Sequence, residues 1–197
     1  MREIGPSSED EMILAFVRAE FHSPRFKPLF RKALGGDANL VYRPRLDDPE
    51  ENRARKNALA MVRGYGVNKY LFTNFPTDAT WIRLACTRDD IGAMKYANHP
   101  TWTTLSHGSR LVRDGSANVE STPTGEDVND HVLAVVREIA QGRTFAELIV
   151  AAEDEDAVPI LVEGHARATA YVRALPANAE VEVITARAPD LSRWSFY

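Results

Sequence analysis

The stretch of residues 159–173, PILVEGHARATAYVR, decides the fold that we predict for this chain. Its first residues form an apolar run that predicts a buried strand, and Gly164 ends that run with a tight turn. A helix is predicted to begin directly at His165. A strand, a glycine turn and a helix start in this order direct unpaired backbone N–H groups and the positive end of the helix dipole at one point. The stretch therefore predicts a phosphate-binding site.

Two side chains strengthen this prediction because they fall in the first helical turn. The imidazole of His165 and the guanidinium of Arg167 can both reach an anion held over Gly164. A structural interpretation stays open beside it: Gly164 serves only as a turn, and both side chains are solvated. The G-H-x-R pattern is too short to decide between the two by itself.

The elements around this stretch predict an α+β fold with the order β-α-β-β-α-β. The capping-box order Thr124-Gly125-Glu126-Asp127 predicts the start of the first helix, and the acidic run 153–156 is typical of a solvated hairpin turn. Strands are predicted over 110–113, 146–151, 159–162 and 181–185, and helices over 128–139 and 165–175. The predicted nucleotide-binding core thus spans residues 107–197, including an aromatic tail.

Residues 1–106 are predicted to form a mainly helical extension that packs on this core. Capping residues, prolines and glycines delimit its elements. Helices are predicted over 8–20, 25–34 and 48–62, and short strands over 40–42, 70–72 and 81–84.

Composition restricts the class of protein. Apolar residues make up 44% and charged residues 26% of the 197 residues, as in ordinary globular proteins. The net charge of −4 provides no overall positive field, so we do not expect nucleic acid as a partner. The single cysteine, Cys86, excludes an internal disulfide, and the five histidines have no metal-ligand spacing. With neither a signal segment nor a long apolar run, we expect a cytoplasmic protein with no membrane contact and no metal site.

The segment VPILVEGHARATAYVRAL resembles the nucleotide-binding turn of the ParB/sulfiredoxin superfamily, in which a strand leads into a glycine turn that carries histidine or arginine. The similarity extends over residues 110–185, and the whole pattern resembles a group of uncharacterised bacterial ParB-like proteins. The resemblance implies that Gly164 and the backbone after it hold nucleotide phosphates, and that His165 and Arg167 contact them. Glu163 and Thr169 are further candidates at the same turn.

The branches of this superfamily differ in activity. Sulfiredoxins need a cysteine in the turn, whereas Cys86 lies in a distant segment. ParB partitioning proteins add a helix-turn-helix domain after the turn, which we do not find here. The turn is most similar to that of the free-serine kinases, which implies ATP-dependent phosphotransfer to a small acceptor, with ATP or another nucleoside triphosphate and Mg²⁺. Glu163 and His165 are the catalytic candidates.

A second side of the nucleotide site is predicted from the N-terminal extension. Arg63 and Tyr65 in the sequence RGYG offer a cation and an aromatic ring, although a glycine helix stop also explains this motif. Trp81 and Arg83 share one face of a predicted strand and could line a base pocket, although core packing also explains Trp81.

Two functions of other classes remain open at this point. One is a non-catalytic nucleotide-sensing or interaction module, and the other is a ParB-like protein associated with DNA. The sequence names neither the acceptor, the preferred base nor the oligomeric state.

Overall fold

The fold is of the α+β class and is described here by a computed structural model for residues 1–125 and 127–197. The strands within these residues are β1 (Arg2–Pro6), β2 (Thr80–Thr87), β3 (Leu148–Ala152), β4 (Ile160–Glu163) and β5 (Glu180–Arg187). The helices are α1 (Glu9–His22), α2 (Lys27–Ala33), α3 (Asn39–Tyr42), α4 (Pro49–Arg63), α5 (Arg88–Ala93), α6 (Pro100–Leu105), α7 (Val112–Asn118), α8 (Val128–Ala140) and α9 (His165–Ala174). Short 3₁₀ turns lie at Tyr70–Phe72 and Leu191–Arg193.

The strands form one mixed sheet with the order β1-β2-β5-β3-β4. Strand β3 runs parallel to β5, and the other neighbouring pairs are antiparallel. The sheet takes β1 and β2 from the part of the chain before residue 107 and the other three strands from the part after it. The division into an extension and a core at this residue stays a prediction.

Both faces of the sheet are covered around β3, since this inner strand between β5 and β4 is buried along its whole length. Ile149 and Ala151 pack with the N-terminal helices in one hydrophobic cluster. Leu148 and Val150 point to the other face and pack with residues of α5 and α9. The alternation of side chains along a strand therefore places the two helical layers on opposite sides of the sheet.

The caps predicted for the N-terminal helices are formed. Ser8 and Glu11 make a reciprocal capping box at the start of α1. Asp48 caps α4 by accepting the N–H groups of residues 50 and 51, and Gly64 ends α4 in the left-handed conformation at φ 86°. The predictions for α1, α2 and α4 are confirmed with ends that differ by one or two residues.

Two short strands predicted in this half are wrong. Residues 40–42 belong to the helical turn α3, and residues 70–72 form a 3₁₀ turn. Tyr70 has a positive φ of 51°, which a regular strand does not accommodate. Apolar runs of three residues fit a buried turn as well as a strand, and packing against α1 and α4 decides here.

The first strand predicted for the core, over 110–113, is also wrong. Arg110 has φ 62°, Leu111 makes a single bridge to Lys95, and α7 begins at Val112. Val112 and Gly115 are buried at helical spacing, and a side chain at Gly115 would collide with the Tyr96 ring. Two apolar residues between two arginines could not distinguish this helix start from a short strand.

The other elements predicted for the second half are confirmed. Helices α8 and α9 and strands β3, β4 and β5 lie within about two residues of the predicted ranges. The part of the predicted capping box that falls on Glu126 lies outside the described residues. Strand β1 was missed because it is an edge strand without alternating burial. Across 1–125 and 127–197, no helix has the length and apolar character needed to cross a bilayer.

Candidate functional site

The predicted turn forms between β4 and α9. Gly164 takes the left-handed conformation with φ 94° and precedes the first helical residue, His165. A Cβ atom at Gly164 would lie 2.5 Å from Cδ2 of Leu148 and 3.1 Å from Nη2 of Arg167. Both the conformation and the close packing therefore require glycine at this position.

The first turn of α9 opens into a cleft of about 1530 Å³. Helix α1 and the end of α4 contribute to its lining, as do α8, the loop 142–147 and the segment 162–167. Within the described residues, no acceptor pairs with the backbone N–H groups of His165, Ala166 and Arg167. These three donors are the free N–H groups that a helix start always leaves.

Arg167 is buried and engaged by the protein itself. Its Nη1 donates to the backbone carbonyls of Ala146 and Glu147, and its Nη2 donates to the carboxylate of Glu163. Burial raises the pKa of Glu163, while the charges of Arg167 and Arg63 oppose this rise. The direct contact with a guanidinium favours the ionised form of Glu163. Arg167 thus fixes β4, α9 and the segment before β3 relative to each other.

His165 is a neutral, packed side chain. Its Nε2 accepts a hydrogen bond of 3.3 Å from the backbone N–H of Ala97, which places the ring proton on Nδ1. Its ring stacks on Trp102 with centroids 5.2 Å apart and on Tyr96 at 6.0 Å. Burial lowers the pKa of His165 to about 3, and Arg63 acts in the same direction. The ring is therefore neutral at neutral pH and offers an anion no positive charge.

Thr169 lies one helical turn further into α9 and is fully buried. Its hydroxyl donates to the carbonyl of His165 at 2.7 Å and lies 2.7 Å from the hydroxyl of Tyr96. Thr169 does not line the cleft. Its contacts instead orient Tyr96 and the first turn of α9.

Arg63, predicted for the second side of the site, does lie at the cleft. Its guanidinium lies over the ring of Phe26 at 4.4 Å and that of Phe16 at 5.8 Å. Its Nε lies 3.5 Å from a carboxylate oxygen of Glu20 but has no hydrogen-bond partner within the described residues. We call Glu20, Arg63, Glu163 and Arg167 the cleft network.

The other three residues predicted for the second side lie elsewhere. Tyr65 is buried, donates to Glu9 at 2.8 Å and packs edge-on against Phe72. Trp81 belongs to the hydrophobic cluster on the same face as α1. Arg83 binds carboxylates of Glu11, Glu147 and Glu182 at 2.8 to 3.6 Å. None of these three predicted residues lines the cleft.

Cys86 is not suited to act as a nucleophile. Its thiol is fully buried in β2, and burial raises its pKa to about 12. A thiol with such a raised pKa is a poor nucleophile at neutral pH. No group of three histidine, cysteine or acidic side chains that could hold a metal ion is found in the described part of the chain.

Sequence reasoning missed Glu20, although the sequence carries a signal for it. Glu20 continues the apolar stripe of Ile13, Phe16 and Val17 at helical spacing, so it is directed inward. An acid on the buried stripe of a helix calls for a partner or a function. Trp102 and Phe145 of the cleft were also missed, because they lie in segments without a clear periodic pattern.

Comparison of the chain with protein-family models, with curated proteins and with solved structures finds no match. The function must therefore be argued from the cleft itself.

Proposed function

We propose that the protein binds a nucleotide in the cleft, with its phosphates at the first turn of α9, and transfers a phosphoryl group to a small hydroxyl acceptor. One observation carries the proposal: three backbone N–H groups that find no acceptor among the described residues and the partly exposed side chain of Arg63 belong to residues that line one cleft. Donors of this kind, at the positive end of a helix dipole, suit a polyanion.

The size and the lining of the cleft support a nucleotide over a bare phosphate. A cleft of about 1530 Å³ exceeds the range of roughly 300 to 1,000 Å³ that is usual for small-molecule sites. Trp102, Phe145 and Phe196 are partly exposed aromatic residues of the lining. Aromatic faces of this kind bind bases by stacking.

Mg²⁺ would enter as part of the nucleotide complex rather than as a metal of the protein. The described residues provide no cluster of three ligands, and Mg²⁺ on nucleotides keeps most of its ligands from phosphate and water. It would neutralise charge on the phosphates during transfer.

Calorimetric titration with ATP, ADP and CTP in the presence of Mg²⁺ tests the proposal. We expect binding by the wild type and at least about a tenfold weaker affinity for Arg63→Met, since a charge-assisted contact contributes about 1.5 kcal/mol or more. Arg187→Met is the matched control, because neither Arg187 nor its partner Glu3 lines the cleft, and it should leave the affinity unchanged. If the wild type binds no nucleotide at millimolar concentration, the proposal fails.

A nucleotide-binding module without catalysis is the second candidate, and the state of the two predicted catalytic residues favours it. Glu163 is already paired with Arg167, and His165 is neutral and packed against the rings of Trp102 and Tyr96. Incubation with Mg·ATP and a panel of small alcohols, sugars and amino acids distinguishes the two. Formation of ADP with a new phosphate ester supports transfer, whereas tight binding with no turnover supports the module.

A further inference from the structure

Glu20 is a buried acid whose carboxylate lacks a hydrogen-bond donor. Its side chain is only 8% exposed, and the remaining exposure faces the cleft that it lines. Of the described residues, none donates a hydrogen bond to it, and Arg63 lies 3.5 Å away without hydrogen-bond geometry. An ionised carboxylate in this position is costly unless a partner reaches it.

The charged groups that face Glu20 come from four elements. Arg25 approaches from the segment before α2, Arg63 from the end of α4, Glu163 from β4 and Arg167 from α9. Arg167 is already bound to Glu163, so it is not free to move to Glu20. Arg25 is exposed. Arg63 is thus the nearest cation that Glu20 and a bound anion would share.

Other charged groups of the neighbourhood act on different partners. On α1 itself, Arg18 donates to the carbonyl of Val41 and His22 is exposed. Burial, Arg143 and Lys27 lower the pKa of His22.

We propose that Glu20 is a specificity-determining residue of the phosphate site: as a neutral acid it donates a hydrogen bond to the phosphate that Arg63 binds. The inference rests on the proposed function, because it concerns the same anion. It adds that Glu20 is protonated whenever the anion is bound, so that the cleft holds a polyanion together with a carboxylic acid rather than a carboxylate.

The physical reason is competition for one guanidinium. A phosphate that binds the guanidinium of Arg63 leaves the Glu20 carboxylate beside a second anion in a poorly solvated place. Protonation removes this repulsion and converts an acceptor into a donor that a phosphate oxygen can use. The free protein is prepared for this change, since burial raises the pKa of Glu20 to about 8 and Glu163 acts in the same direction.

The sign of the pH dependence follows from this linkage. Below the pKa of about 8, Glu20 is already neutral in the free protein, so anion affinity does not vary with its titration. Above it, binding must add a proton, and the dissociation constant rises about tenfold for each pH unit until the pKa of the bound state is reached. Affinity is therefore retained at neutral pH and lost at alkaline pH.

The test is calorimetric titration of the full chain with Mg·ATP at pH 7 and pH 9. Terminal phosphates are fully ionised over this interval because their last pKa lies near 6. We expect the dissociation constant of the wild type to rise about tenfold between these pH values. Glu20→Gln, which keeps the shape and supplies a permanent donor, should show a change below about twofold and should bind more tightly than the wild type at pH 9.

Glu138→Gln is the matched control, because Glu138 also lines the cleft but is paired with Arg143 at 2.8 Å. Its dissociation constant should rise about tenfold between pH 7 and pH 9, as in the wild type. A second measurement needs no variant: titrations of the wild type at pH 9 in two buffers of different ionisation enthalpy should reveal uptake of about one proton per nucleotide.

The outcomes separate this inference from the proposed function. Binding by the wild type with equal affinity at both pH values, or with no proton uptake at pH 9, overturns the role of Glu20 and leaves the nucleotide site intact. A tenfold change that persists in Glu20→Gln overturns it as well. Absence of binding at every pH overturns the proposed function and this inference with it.

Discussion

Two networks of arginines and glutamates use the same residue types for different purposes. The cleft network places Arg63 and Arg167 against Glu20 and Glu163, and the part of the chain that the structure describes offers the buried Nε atom of Arg63 no hydrogen-bond partner. The strand network, formed by Arg83 with Glu11, Glu147 and Glu182, is partly open to solvent and fully paired. The comparison teaches that polar groups left unsatisfied beside a cavity indicate a site better than the number of ion pairs does.

Burial accounts for the difference between the two networks. Burial raises the pKa of Glu20 to about 8 because little solvent stabilises the charged form. Burial also raises the pKa of Glu11 in the strand network, but a hydrogen bond from Ser7 and the charge of Arg83 outweigh it and leave the pKa lowered. The pKa values of two glutamates on one helix are thus shifted in opposite directions because their surroundings differ.

Removal of one arginine from each network should give the largest contrast. Arg167→Met leaves Glu163 without its partner and the carbonyls of Ala146 and Glu147 without a donor, so we expect a loss of about 3 to 5 kcal/mol in the free energy of unfolding. Arg83→Met should cost about 1 kcal/mol or less, because its partners are reached by water. Urea denaturation of both variants measures the difference. Losses of similar size would mean that the cleft network is no more buried than the strand network.

The glycine turn sharpens the comparison, because the cleft network depends on a special backbone conformation. Gly164→Ala combines a positive φ with a contact of 2.5 Å between the new Cβ atom and Leu148. We expect the free energy of unfolding to fall by roughly 3 kcal/mol. Gly142→Ala is the control: this glycine has φ 80° but open space around it, so strain alone should cost about 1 kcal/mol. Chemical denaturation measures both. If both variants lost the same free energy of unfolding, the residues packed against Gly164 would move aside for the new Cβ atom without a loss of stability.

The smallest expected effect on stability comes from the titration of His165. It tests whether burial and nearby positive charges lower the pKa of this side chain. Its pKa falls from 6.5 to about 3 on folding, so its contribution to stability is complete above pH 6.5 and is lost as the pH falls toward 3. Between pH 7 and pH 5, the free energy of unfolding of the wild type should fall by about 2 kcal/mol more than that of His165→Gln, in which residue 165 does not titrate. Denaturation at the two pH values gives the difference. If the free energy of unfolding of both proteins fell by the same amount, the His165 ring would be in contact with water.

Part of the site was predictable because its determinants are local. The apolar run, Gly164 and the helix start lie next to each other in the sequence, and each limits the backbone in a known way. The roles of Arg167 and His165 were not predictable, because their partners Ala146 and Ala97 come from distant segments. Their first-turn positions suggested ligand contacts, whereas long-range hydrogen bonds already occupy these side chains.

The sequence by itself determined the α+β class, the capped helices α1 and α4, the helix α8, and the strand, turn and helix around Gly164. Each depends on spacing and capping within a few residues, which act before any tertiary contact forms. Only the tertiary structure decided that Glu20 and Arg63 share a cleft with Glu163, and that Tyr65 does not. The reason is physical: these residues are far apart in the chain, and packing of α1 and α4 on the sheet sets their distances.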